Sequence, residues 1–507
     1  MKNLFVLLLA SSALLSACGD DDDSAAGAAG AAGSAGKAGS MAVGEGGSGA
    51  GGQGSAAAGK GGTMSEAGGA PRGEGGANGG AGGAALAQTF TVTLENVATV
   101  KPFRSSGVFN TPVGADAPGA LTPGHQYEFT VDAGRKQKLS FATMLAATND
   151  LFFGPSGDGI ALYDEQGDPI SGDVTDQIRL WDAGTEVNEE PKVGPNTVSK
   201  QAAPDTGPAE HGDVVDIADT ADTFAYPSAE DVLTVTVTHL TGTEFKVTIA
   251  NVSADDALKT SEGDFPAPLS PGVWVIHGGS DPLFTVGMPD RGQGLEHIAE
   301  DGNPAALGAF ADENSGITYP ASPGAWVVHG AGSKPFFTEG RADYGDGVEH
   351  VAEDGNPSAL GDRLMALDGQ LSSAVFNTPL GKSSPGPILP GSKYSFTVEA
   401  RPGDALSFVS MLAATNDVFF APRDGGIALF DADGEPVDGD VTDRIYLWDA
   451  GTEGNEEPGI GPNTVTNQLA PDTGTPGEDS VQLISDVDDG YPYPDVDSVL
   501  KVTITPQ

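Results

Sequence analysis

The chain of 507 residues has one cysteine, Cys18. No disulfide can form within it, so its folded parts depend on packed cores or bound ions. Basic residues are also scarce: 24 Lys and Arg stand against 72 Asp and Glu, a net charge of −48. Binding to phosphate backbones needs Lys and Arg, which excludes nucleic acid as a natural partner. An anionic membrane surface would repel the chain as well. Divalent cations and solubility are the readings that such an acidic balance favours. There is no His-Glu-Xaa-Xaa-His, no Gly-Xaa-Ser-Xaa-Gly and no phosphate-binding loop. The common hydrolase and nucleotide-binding signatures are therefore missing, and the chain does not read as an enzyme.

The lone cysteine is explained by its position. Met1-Lys2-Asn3 gives a short basic start, Leu4 to Leu15 is apolar, and Ser16-Ala17 supplies small residues before Cys18. This pattern is a secretory signal (1–17), too short for a stable membrane span. Leu15-Ser16-Ala17-Cys18 looks like a bacterial lipobox. The likeness implies cleavage before Cys18, lipidation of Cys18, and anchoring in the cell envelope at the outer membrane or cell surface. Plain secretion with an idle Cys18 is the competing reading. Residues 18–87 are Gly-, Ala- and Ser-rich and open on Asp20-Asp21-Asp22-Asp23. Such a segment buries too little apolar surface to fold, so a disordered tether is expected, with a mean reach on the order of 45 Å.

From Thr89 the pattern changes. Thr89 to Leu94, Tyr127 to Val131 and Val232 to Val237 alternate apolar with polar residues, as half-buried strands do. Leu139 to Leu145 and Ile178 to Trp181 are further strands, and Ile160 to Ile170 reads as a hairpin. Short strands separated by Gly, Pro and Asp predict an all-β fold of antiparallel sandwiches.

The folded part is duplicated. Ala147 to Phe153 and Leu180 to Glu186 return as Ala414 to Phe420 and Leu447 to Glu453, an offset of 417 − 150 = 267. The offset holds without a gap from Val108 to Gly207. The expected division is one sandwich at 88–241 with a shortened N-terminal half and another at 242–507, opening on Phe245 to Ile249. The second carries an insertion that is itself duplicated, at 271–308 and 323–361. Pro271 to Gly278 returns as Pro323 to Gly330, and Gly294 to Pro304 as Gly347 to Pro357. Each piece reads as a strand, a loop and a short helix stopped by Gly and Pro. All four tryptophans, Trp181 with Trp448 and Trp274 with Trp326, occupy repeated positions, which favours packing anchors over a binding surface.

Three acids stand out in each copy. Asp182 and Glu186 are four apart in a loop that Gly184 lets turn, and Asp150 lies in another loop. Carboxylates converging from two loops suit a hard cation with oxygen ligands. They also suit loops braced by carboxylate-to-amide hydrogen bonds. His297 and His350, in the repeated Glu-His-(Ile/Val)-Ala-Glu-Asp, read more simply as helix-surface residues than as ligands or bases.

The segment Ala147 to Phe153, the run Trp181 to Glu186 and the Pro-Asn that follows resemble the spondin N-terminal domain family. His277-Gly278, Leu283-Phe284 and Leu295 to Gly302 look like that family's N-terminal half. The resemblance covers about residues 88 to 507. It implies two C2-like antiparallel sandwiches, each with a Ca²⁺ site: Asp150, Asp182 and Glu186 in the first, Asp417, Asp449 and Glu453 in the second. Animal members have aspartate at the last position and contain cysteines absent here. The expected function is a lipid-anchored surface protein with Ca²⁺-binding modules for adhesion, or for binding an extracellular protein or glycan. Its membrane contact would run through Cys18. The alternatives are a passive envelope spacer with no ligand and, further off, an envelope-glycan hydrolase.

Overall fold

The computed structural model describes residues 87–367, 370–477 and 480–507. The signal segment, Cys18 and nearly all of the 18–87 segment lie outside the described residues. The described chain forms one compact unit. No helix among the described residues is long and apolar enough to cross a membrane.

Strand β1 is Gln88–Asn96. Then come β2 (Phe103–Phe109), β3 (Gln126–Asp132), β4 (Lys138–Leu145), β5 (Leu151–Pro155), β6 (Ile160–Ala161), β7 (Gly172–Asp173), β8 (Ile178–Asp182), β9 (Val215–Asp216), the helical turn α1 (Ala229–Val232) and β10 (Leu233–Thr241). The middle of the chain holds β11 (Glu244–Asn251), the small hairpin β12 (Leu258–Thr260) and β13 (Gly263–Phe265), β14 (Leu269–His277), α2 (Leu295–Asp301) and α3 (Ala305–Glu313). The rest holds β15 (Ala321–Gly330), α4 (Val348–Asp354), α5 (Ser358–Ala366), β16 (Gln370–Phe376), β17 (Lys393–Ala400), β18 (Asp404–Leu412), β19 (Val418–Pro422), β20 (Ile427–Ala428), β21 (Gly439–Asp440), β22 (Ile445–Asp449), β23 (Gln482–Leu483), α6 (Val496–Val499) and β24 (Leu500–Pro506).

These strands build two sandwiches, as an all-β reading expects. In the first, a seven-stranded sheet ordered β2-β14-β4-β5-β8-β9, with β6 beside β4, faces a four-stranded sheet ordered β3-β11-β10-β7. In the second, β16-β15-β18-β19-β22-β23, with β20 beside β18, faces β17-β1-β24-β21. Alternation decides which side chains fill the space between sheets. Phe90, Val92 and Leu94 of β1 and Val235, Val237 and Phe245 of the β10–β11 pair are fully buried, with threonines between them turned outward. The helices add a third layer. Leu295, Ile298 and Leu307 cover the outer face of the first large sheet, against Ala142, Met144 and Phe152. Val348, Val351 and Leu360 do the same in the second. With a layer on each side, β4 and β18 are buried on both faces, and their sequences are mostly apolar, with small hydroxyl residues among them, and lack strict alternation.

The division at 241/242 does not follow the strand pairing. β1 pairs with β17 and β24 of the second sandwich, not with its sequence neighbours. β11, expected to open the second sandwich, pairs with β10 and β3 of the first. The turn between β10 and β11 is short, with Gly242 at φ +55, so the chain folds straight back and β11 completes the sheet it has just left. The duplicated insertion is likewise shared out. β14 joins β2 and β4, whereas β15 joins β16 and β18. Each sandwich thus has one tryptophan-bearing strand and one helix pair from the insertion, and the first has no missing half. The first sandwich runs from β2 to α3 and lies whole between β1 and β15 of the second. Its connectivity is that of the second opened between α5 and β16 and rejoined through β10 and β11, a circular permutation.

Candidate metal centre

The acidic loops hang from the ends of β4, β5 and β8. Antiparallel pairing sets Leu151 opposite Asp182, so Asp150 and Asp182 leave neighbouring strands at the same edge. The chain then turns at Gly184, φ +68, where a Cβ would stand 2.7 Å from the Asp213 carbonyl oxygen. This turn points three donors at Asp150. Its Oδ2 accepts from the backbone N–H of Thr185 and Glu186, each at 2.9 Å, and its Oδ1 accepts from the Thr185 hydroxyl at 2.6 Å. Asp182 accepts from Gly184 N at 2.8 Å and from Asn188 Nδ2 at 2.5 Å.

Glu186 contributes its backbone to Asp150 but sends its carboxylate elsewhere. Oε2 accepts from Asn149 Nδ2 at 3.1 Å and Oε1 from Gly207 N at 2.6 Å. A Cβ on Gly207 would overlap the Glu186 carboxylate, so only glycine allows this approach. The three predicted acids therefore divide between two adjacent clusters. Asp150 and Asp182 gather with Glu210, and Glu186 gathers with Asp205 and Glu300, with ligand oxygens in each cluster within 4.8 Å of one another. In the second sandwich Glu453 gathers with Asp472 and Glu353 in the same way. Asp417 again accepts from Thr452 and Glu453, and Asp449 from Gly451 and Asn455. Gly477 stands where the first sandwich has Glu210. The bracing hydrogen bonds and the clustered carboxylates are thus both present. The acidic clusters could hold a metal ion.

Glu300 and Glu353 complete these clusters from helices α2 and α4. The Thr452 hydroxyl lies 2.6 Å from Glu353 Oε1 and 2.9 Å from Asp417 Oδ1, joining the two groups. Neither glutamate, nor Asp205, Asp472 or Glu210, is among the acids picked from sequence. The signal was present for four of them. Glu300 and Glu353 repeat inside Leu295 to Gly302 and Val348 to Gly355, and Asp205 and Asp472 repeat in Asp-Thr-Gly. Glu210 has no repeat, so duplication could not mark it.

The electrostatics are severe. Asp150 and Asp417 are fully buried, and Asp182, Glu186, Glu300, Asp449, Glu453 and Glu353 are at most 6% exposed. Among the described residues, no Lys, Arg or His forms an ion pair with any of them. Burial pushes the Asp150 carboxyl well above its ordinary range, against the hydrogen bonds from Thr185 and Glu186 that favour its ionised form. Asp417 is raised in the same way, by burial first and then by the charge of Asp449. Burial also raises Glu300 and Glu353 to about 7, with the neighbouring Glu186 and Glu453 adding to the effect. Buried carboxylates without a basic partner are stabilised by hydrogen-bond donors, by protons or by a cation, and here the donors do not offset burial at Asp150.

No protein-family model matches this chain, and no curated protein or solved structure is significantly similar to it.

The other sequence candidates have structural places. Trp181 and Trp448 each donate their indole N–H to a backbone carbonyl, of Gly154 and Ala421, and pack against Phe284 and Phe337. Trp274 and Trp326 stack flat on Phe129 and Phe396. All four tryptophans are packing anchors. His297 and His350 are part-exposed on α2 and α4, outside the three acidic groups. His277 and His329 are buried, each with Nε2 at 2.9 Å from a serine hydroxyl, Ser140 or Ser407.

Proposed function

We propose that the two sandwiches are Ca²⁺-binding, spondin-like modules of a surface protein anchored through a lipidated Cys18, serving adhesion or the binding of an extracellular protein or glycan. The observation that carries the cation reading is the repetition of an acidic cluster of two buried glutamates and one exposed aspartate, with no basic partner on the glutamates. Glu186, Asp205 and Glu300 recur as Glu453, Asp472 and Glu353, although the two sandwiches are connected differently. The donors are all oxygens, from carboxylates and a threonine hydroxyl. Such a set favours a hard cation, and the irregular loop geometry suits Ca²⁺ better than the strict octahedron of Mg²⁺. The spondin-like motifs supply the reading of a recognition module. The acids also argue against a glycan hydrolase, because the side chains of Asp150 and Asp417 are closed to solvent and no sugar chain could reach them.

Titration calorimetry of the chelator-stripped protein with Ca²⁺ tests the proposal, beside terbium luminescence excited through Trp181 and Trp448. Binding at both centres, with loss of one centre in Glu300→Gln and of the other in Glu353→Gln, is expected. Heat and luminescence that ignore both substitutions would show that the acids are structural braces. The anchor is tested separately by metabolic labelling with a fatty acid, which Cys18→Ser should abolish.

A further inference from the structure

Two segments cross between the sandwiches, and they lie side by side. Phe103 forms a parallel bridge with Ser315, Lys101 N donates to the Thr318 hydroxyl at 2.7 Å, and Gly316 N donates to the Phe103 carbonyl at 3.0 Å. A paired crossing of this kind fixes the position of a hinge but not its angle. The angle depends on a second contact, which the first sandwich makes with a single loop of the second. Arg104 Nη2 pairs with Glu457 Oε1 at 2.7 Å. Arg135 Nη1 donates to the Pro462 carbonyl at 2.7 Å, and Gln137 Nε2 to the Gly459 carbonyl at 3.0 Å. Gly134 packs so closely on the Asn467 side chain that a Cβ there would stand 2.5 Å from its Nδ2.

That loop begins and ends in the acidic cluster. Glu453 opens it and Asp472 closes it, with Gly474 N donating to Glu453 Oε1 at 2.7 Å and Gly454 N to the Thr475 carbonyl at 2.6 Å. Its middle is tied to its ends, because Asn463 holds Glu456 through Nδ2 at 2.7 Å and accepts from the Thr473 hydroxyl at 3.1 Å. Among the described residues, the corresponding loop of the first sandwich makes no such reach. Glu190, the counterpart of Glu457, binds Ser261 N and Oγ in the β12–β13 turn of its own sandwich.

We infer that the acidic centre of the second sandwich is coupled to the joint between the sandwiches, so that a divalent cation held there stiffens the joint. The centre of the first sandwich has no such connection. This rests on the cation reading above. Drawing Glu453, Asp472 and Glu353 onto one ion fixes both ends of the loop whose middle Arg104, Arg135 and Gln137 grip. Coupling between two sites is reciprocal, so the grip must in turn favour the ion.

Hydrogen exchange on the full chain, in millimolar Ca²⁺ and in chelator, tests the coupling, with calorimetry on the same samples. Ca²⁺ should slow exchange about fivefold at 457–469 and, across the joint, at 131–138. Glu453→Gln should remove both effects, and Glu186→Gln should keep them. The double substitution Arg135→Ala with Gln137→Ala lies away from the acids. In a Glu186→Gln background it should weaken Ca²⁺ at the second centre by about fivefold. Calorimetric binding at the second centre with unchanged exchange at 131–138, or with affinity indifferent to the double substitution, overturns the coupling alone. No Ca²⁺ heat at either centre removes the cation reading, and the coupling with it.

Discussion

The two sandwiches have matching sheets, matching helix layers and matching buried acids, but the chain enters and leaves them at different points. The second begins with β1, waits through the whole of the first, and resumes at β15. The first is continuous from β2 to α3. The acidic loops have kept their hydrogen bonds through that rearrangement, so their geometry is set by β5 against β8 and by the helix packed outside, not by the order of connection. That separation explains how a duplicated module tolerates permutation. The cut falls at the far end of the strand order, and the contacts around Asp150 and Asp417 involve no residue near it.

The largest effect expected from breaking this comparison is topological. A fragment of residues 97–319 contains every strand of the first sandwich and should unfold in one cooperative transition by calorimetry. A fragment of 88–241 lacks β11, β14 and both helices, and should not fold. Removing 88–96 from the full chain should unfold the second sandwich and spare the first, because β1 lies between β17 and β24 and buries Phe90, Val92 and Leu94. Two surviving transitions after that deletion would disprove the nesting.

Next in size is ion removal. A cation that binds only the folded state should raise stability by about 2.7 kcal/mol at a hundredfold excess over its dissociation constant. Chelation should therefore lower the melting temperature of both sandwiches by several degrees, and Gly207→Ala should abolish the Ca²⁺ shift of the first alone. The check is scanning calorimetry of the wild type and variant with and without Ca²⁺.

The pH response sharpens the same point. Glu300 and Glu353 are raised to about 7, above the ordinary carboxyl value of an unfolded chain. Between that value and 7 the ion-free folded state binds more protons than the unfolded state, so its stability falls as pH rises. Ion-free protein should melt higher at pH 5.5 than at pH 7.5, and saturating Ca²⁺ should remove or reverse that order. A flat ion-free profile would mean that these glutamates are not held without a counter-charge.

The fold class was legible because alternation and duplication are local or self-referential signals. Thr89 to Leu94 shows its buried face without reference to any partner. Which sandwich that face joins was not legible, because β1 and β11 carry the same pattern and each fits the same position in its sheet. Only the short turn at Gly242 hinted that β11 folds back. Among the acids, Asp150, Asp182 and their repeats could be read as adjacent from the strand ends they follow. The rotation of Glu186 toward Asn149 and Gly207 could not, since it depends on a loop twenty residues away and on a helix from another part of the chain.

The smallest effect concerns Glu210, whose aligned position in the second sandwich is Gly477. Glu210 is exposed and raised by burial and by the charges of Asp182 and Asp222, so it adds charge at the rim of the Asp150–Asp182 pair. Partial solvent screening limits what it contributes. Glu210 stands in the neighbouring Asp150–Asp182 group and not in the Glu186–Asp205–Glu300 cluster. Glu210→Gly therefore removes only a nearby charge and should lower the Ca²⁺ affinity of the first centre by roughly threefold, toward that of the second. The reverse exchange is not available, since a Cβ on Gly477 would lie 2.6 Å from the Glu453 carbonyl oxygen and 2.7 Å from that of Gly451. The second loop is therefore closed more tightly at the position where the first carries Glu210. If Glu210→Gly leaves the two affinities as far apart as before, the difference between the centres lies in the helices and the joint, not in Glu210.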